Sequence, residues 1–170
     1  MLNYDDKELE LLRALRKYLF DKHKANYYFV PTGHTYAALD GIAVKQIGDK
    51  AFEIAAVYES KCRHTTLHKL STYNPPNALM VTYDKLLAGV SVSKELMVPF
   101  YCLTYFLDEN PTKGMFLEVT DEKGNIVVDI HITRESNPRS KANPNTKVVR
   151  TNAYLSIESG ELFNVEPKND

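Results

Sequence analysis

The stretch AFEIAAVYESKC, from Ala51 to Cys62, decides how the rest of the chain is read. Its body is rich in Ile, Val, Tyr and Ala, the mark of a strand bound for a buried sheet. Its end carries an acid and a base, Glu59 and Lys61, where an interior strand ordinarily stays apolar. Upstream, HTYAALDGIAVKQI is also strand-forming and the intervening GDK is a turn, so the two segments are predicted to pair as a β-hairpin. A turn placed symmetrically between Asp49 and Lys50 sets Val44 opposite Ala55, Ile42 opposite Val57 and Asp40 opposite Glu59. Side chains alternate along a strand, so Lys61 shares the face of Glu59. Facing carboxylates repel one another unless a cation lies between them.

Working outward, DDKELELLRALRKYLFDKH spaces Leu12, Leu15 and Leu19 along one helical face, with Asp5 and Asp6 near the positive N-terminal end. Glu8 stands on that same leucine face, while Glu10 points away. NYYFVPTG follows as a strand. Beyond the hairpin, residues 64–78 are polar and contain Pro75 and Pro76, VTYDKLLAGVSVSKELMV has helical character, and PFYCLTYFL is a strand opened by Pro99. A helix running directly into a buried strand predicts an α/β layer. GMFLEVT, IVVDIHIT and KVVRTNAYLSI read as antiparallel strands, joined by the turn DEKGN and the polar loop RESNPRSKANPNTK. The expectation is an α/β fold with a mixed central β-sheet flanked by helices and additional C-terminal antiparallel strands. Residues 1–165 form a single domain in this reading, and 166–170 a frayed tail.

With 170 residues and 44% hydrophobic content, the chain can bury one core. Its 21 basic and 22 acidic residues give a formal charge of -1, so any site for an anionic partner must be local. Two cysteines, Cys62 and Cys102, and the polar opening MLNYDDKELE predict a reducing, cytoplasmic setting. No apolar run approaches the roughly 20 residues that span a bilayer, so no membrane partner is expected.

An acid in a first helix, an Asp at the head of one strand, Glu-x-Lys on the next, then a helix and a further strand: this order resembles the PD-(D/E)XK nuclease superfamily, the restriction-endonuclease-like fold. The matching elements are Glu8, LDG with Asp40, ESK with Glu59 and Lys61, YDKLLAGVSVSKEL and PFYCLTYFL. Leu39 stands where many members have Pro, and the likeness covers residues 4–107. Acid-x-Lys recurs at Asp5, Asp121 and Glu166, but only ESK lies at the end of an apolar strand. The resemblance implies a metal-dependent endonuclease hydrolysing DNA phosphodiester bonds. Asp40, Glu59 and the carbonyl of Ser60 would ligate Mg²⁺ or Mn²⁺, and Lys61 would position or activate water. Glu8 would serve a second ion or a water-mediated contact. Cutting both strands of a duplex implies a homodimer or a higher symmetric oligomer.

Arg63 after the motif, and Arg134, Arg139, Lys141, Lys147 and Arg150 around the polar loop, are the candidates for phosphate contact. His64 and His68 in HTTLH would share a face on a helix, but no further ligand completes a zinc site. Cys62 alternates with Lys61 and belongs to the packed face of its strand. Two alternatives stay open at this point. One is a catalytically silent nuclease-like fold acting as a DNA-binding or assembly module; the other is an interaction protein whose hairpin register separates Asp40 from Glu59.

Overall fold

The strand that ends in ESK runs on to Arg63 as β3 (Phe52–Arg63) and lies inside a mixed six-stranded sheet. The structure, a computed structural model, describes residues 4–32, 38–140 and 143–165. In the sheet, β1 (Tyr27–Pro31), β2 (Gly41–Gln46), β3, β5 (Phe100–Phe106), β6 (Lys113–Thr120) and β9 (Glu161–Asn164) follow one another in that spatial order. β3 and β5 are parallel, and every other neighbouring pair is antiparallel. A parallel pair needs a long crossover. Here it comprises α2 (Leu67–Ser71), β4 (Ala78–Thr82) and α3 (Tyr83–Leu96). A second sheet of three strands orders β4, β8 (Asn143–Ser156) and β7 (Ile130–Ser140).

The two faces of the large sheet bury different partners. α1 (Tyr4–His23) lays Leu11, Leu12 and Leu15 against Tyr58, Leu103, Tyr105 and Phe163. Each such leucine contributes about 1.5–3 kcal/mol by leaving water. On the opposite face, Val57, Phe100, Cys102 and Leu117 meet Leu86 of α3 and Leu79, Val81, Ala153 and Leu155 of the second sheet. α3 sits close because Gly89 has no side chain: a Cβ there would lie 2.2 Å from the Phe100 ring. No helix of the described residues is long and apolar enough to cross a membrane.

Several sequence expectations are corrected. Val44 pairs with Ile54 rather than Ala55, because a bulge between Ala43 and Val44 shifts the register. The turn therefore centres on Asp49, the pairing beside it is shifted by one residue, and the bulge restores Ile42 opposite Val57 and Gly41 opposite Tyr58 where the site begins. ALMVT, read partly as helix, is β4, since pairing with β8 satisfies its backbone and core burial takes Leu79 and Val81. The polar loop from Arg134 is largely strand: β7 and β8 pair from Ile130 opposite Leu155 to Pro138 opposite Lys147. Pro138 is tolerated because β7 is an edge strand. Of IVVDIHIT, only the part from Ile130 joins that ladder, Ile126 making an isolated bridge with Thr120. ELFN, unread from sequence, closes the large sheet as β9. His64 precedes the five-residue α2 and bonds Asp108, so it shares no helical face with His68. The frayed tail expected at 166–170 lies outside the described residues.

Candidate active site

β3 carries its two chemistries on two faces. Glu59 and Lys61 point toward α3, while Ser60 between them points toward α1. Glu59 is only 1% exposed, an expensive position for a carboxylate unless charged partners surround it. Its Oε1 accepts a hydrogen bond from Lys61 Nζ. Its Oε2 accepts one from Lys85 Nζ at 3.1 Å, a residue of the first turn of α3. The same Lys85 ammonium lies 3.6 Å from Asp40 Oδ1, and Lys61 Nζ lies 3.9 Å from Asp40 Oδ2. Two carboxylates and two ammonium groups thus alternate around one point at the end of the central strand.

Asp40 has left the β2 ladder and is held by its backbone. Its N–H donates to the Tyr58 carbonyl at 3.2 Å, and its carbonyl accepts from Thr32 N at 2.7 Å and Thr32 Oγ1 at 2.9 Å. The Asp40 carboxylate accepts from the Ser60 amide at 2.8 Å, which turns it across the end of β3. Glu8 enters from the other side: Ser60 Oγ donates to Glu8 Oε1 at 2.5 Å. The expectation that Glu8 occupies the leucine face of α1 places it at the mouth of the sheet, yet its link to Asp40 and Glu59 runs through Ser60.

Burial lowers the proton affinity of Lys85, but the hydrogen bond and charge of Glu59, with the charge of Asp40, outweigh it and raise the pKa above its ordinary value. Lys85 therefore stays an ammonium. Cys102, beside Glu59 in the parallel ladder, has its thiol pushed up to about 12 by burial and then by the Glu59 charge. Burial followed by the charge of Glu8 raises Cys62, which packs on the α1 side. Neither thiol is primed as a nucleophile. The buried Tyr58 hydroxyl finds no hydrogen-bond partner, and burial, Glu8 and Asp40 all raise its pKa.

The basic candidates are dispersed. Arg63 donates from Nη2 to the Met80 carbonyl at 2.7 Å, tying the end of β3 to β4. Arg134 and Lys147 are exposed on one face of the β7–β8 ribbon, opposite Thr151 and Pro138. Arg150 pairs across from Glu135 on the other face, and with Tyr83 and Asp84 lines a cavity of about 510 Å³ at the start of α3. The Arg139 side chain and Lys141 lie outside the described residues.

Sequence reasoning missed Lys85 and Thr32. Lys85 had a legible signal: it precedes Ala88, Gly89 and Val92 by three, four and seven positions, so a charged residue stands on the sheet-facing stripe of a helix. The same logic had singled out Glu8. Thr32 acts through backbone contacts that tertiary folding alone creates.

Among the described residues, no three His, Cys, Asp or Glu side chains form a preformed metal cage. Asp40 and Glu59 nevertheless converge on one cation, the Lys85 ammonium, through hard oxygen atoms. That donor set fits Mg²⁺, which commonly takes one or two carboxylates and leaves its other positions to water and substrate phosphate. Neither a scan of family models nor searches of curated proteins and of solved structures return a match to this chain.

Proposed function

We propose that this chain is a metal-dependent endonuclease that hydrolyses DNA phosphodiester bonds, built on a restriction-endonuclease-like core. The observation that carries the proposal is the meeting of Asp40 and Glu59 on a single cation, 3.6 and 3.1 Å from the Lys85 nitrogen, with Lys61 on the same face. Asp40, Glu59 and the Ser60 carbonyl would hold Mg²⁺ or Mn²⁺. Such an ion supplies acidification of water and a positive counter-charge for phosphate. Lys61, a compact ammonium, orients water on the Glu59 side and offsets charge developing on phosphorus. Thr32 and Ser60 fix Asp40 before substrate arrives, which preorganises the site. Glu8 holds the Ser60 hydroxyl from the α1 side.

Arg134 and Lys147 on the ribbon, and Arg150 beside α3, are the candidates for phosphate-backbone contact, with Arg139 and Lys141 in the same basic segment of the sequence. One such site addresses one strand, so duplex cutting calls for a homodimer or a higher symmetric oligomer. Two free cysteines suit a reducing, cytoplasmic setting. A second reading, a silent DNA-binding module of the same fold, is favoured by one feature: the two lysines already neutralise both carboxylates.

Incubating the purified protein with supercoiled, linear, branched and single-stranded DNA and with RNA, each with Mg²⁺ or Mn²⁺, separates these. Metal-dependent cutting of DNA that falls by about a hundredfold or more in Glu59→Gln and Asp40→Asn supports the nuclease. DNA binding without cutting supports the silent module, and equal cutting by wild type and both variants refutes the assigned site.

A further inference from the structure

Glu59 needs one counter-charge, and Lys61 supplies it from two residues away on the same strand. Lys85 adds a second from a different element, and like Lys61 it reaches both carboxylates, on their other oxygens. With it, the quartet is electrically complete and leaves a divalent ion no net negative charge to bind. Lys85 is also built to leave. Its side chain is 32% exposed and sits in the first turn of α3, so the ammonium already borders solvent. A lysine stem of four carbons changes rotamer without disturbing the helix that carries it.

From this geometry we infer that Lys85 is a displaceable counter-cation: it fills the gap between Asp40 and Glu59 until a divalent ion arrives, then swings out toward solvent to meet a substrate phosphate. The inference rests on the metal-site reading above. Its consequence is a coupling between the two ligands. While Lys85 pairs with the carboxylates, it opposes the ion by its charge and is withheld from phosphate. Once displaced, the two carboxylates face the ion and two ammonium groups face the anion, a charge arrangement matched to a phosphodiester whose charge grows in the transition state.

The test measures Mn²⁺ binding to the whole protein without nucleic acid, by electron paramagnetic resonance of the free ion and by calorimetry. Lys85→Met and, as a second neutral variant, Lys85→Gln are expected to bind Mn²⁺ about tenfold tighter than wild type, because a like charge a few ångströms from the ion is removed. Lys85→Arg keeps the charge and stays at or near wild-type affinity. Adding Glu59→Gln to Lys85→Met abolishes the gain, which locates it. Circular dichroism confirms that each variant is folded. If wild type binds Mn²⁺ and both neutral variants bind equally or more weakly, the counter-cation role is overturned and the metal site stands. If neither wild type nor the neutral variants bind, the metal site itself falls, and this inference with it. Binding seen only in the neutral variants supports the inference in its strongest form.

Discussion

The Glu59–Lys85 contact joins β3 to α3, and its worth to the metal-free fold can be measured by a double-mutant cycle of Glu59→Gln and Lys85→Met. At 3.1 Å and an effective dielectric constant of about 20, two unit charges attract by about 5 kcal/mol. Lys85 keeps 32% of its side-chain surface in water, so screening and the cost of ordering its stem cut this to a coupling of about 1–3 kcal/mol. Neither single variant reveals that number. Glu59→Gln loses the attraction but escapes several kcal/mol of carboxylate desolvation at a 1% exposed site, so its net effect falls within about 2 kcal/mol of zero. Lys85→Met leaves Glu59 with Lys61 alone and is the more destabilising of the two. Urea unfolding at pH 7 without divalent ions, followed by far-UV circular dichroism and tyrosine fluorescence since the chain has no Trp, supplies the four free energies. A coupling below about 0.5 kcal/mol, or one of opposite sign, refutes the reasoning that this ion pair fastens α3 to the central strand.

Ser60→Ala removes the hydroxyl between Glu8 and the site; a loss of about 1–2 kcal/mol and a reduced rate of any DNA cleavage are expected, and unchanged unfolding would show that Glu8 is not held through Ser60. Tyr58→Phe deletes a buried hydroxyl with no partner, so stability should hold or rise by up to about 1–2 kcal/mol; a loss above about 1 kcal/mol in thermal or urea unfolding would show that the hydroxyl is satisfied. Glu135 accepts hydrogen bonds from Tyr154, Thr133 and Asn152, which hold its pKa below the ordinary carboxylate value. Its folded pKa is the depressed one, so its contribution is complete above the unfolded value of about 4.3 and disappears as pH falls through the folded value. Glu135→Gln should flatten that part of the acid limb of the stability curve, and an acid limb identical to wild type would contradict the assignment.

Helix α1, the central hairpin and the helix-to-strand crossover were legible because each depends on a local pattern: leucines at helical spacing, apolar strands around GDK, and Pro99 opening a buried strand. The register error near the turn shows where such reading stops. Centring the turn between Asp49 and Lys50 rather than on Asp49 pairs Val44 with the wrong partner, and only the bulge returns Asp40 to the mouth of Glu59's strand. Bulges answer to packing on both faces, which no symmetric count can include. The ribbon of β7 and β8 was hidden for a related reason, since Ser, Asn, Lys and Pro read as loop until a neighbouring strand takes up their backbone groups.

By itself, the sequence determined that an acid and a base share one face at the end of a buried strand, since alternation is a property of any strand, and that Glu8 lies on the buried stripe of α1. Only the tertiary structure decided which groups surround them. Lys85 arrives from a helix more than twenty residues downstream, and Thr32 grips the Asp40 carbonyl eight positions along the chain. Such contacts are set by how α3 and β1 dock on the sheet, so the balance of charge around Glu59 belongs to the assembled fold rather than to any stretch of the chain.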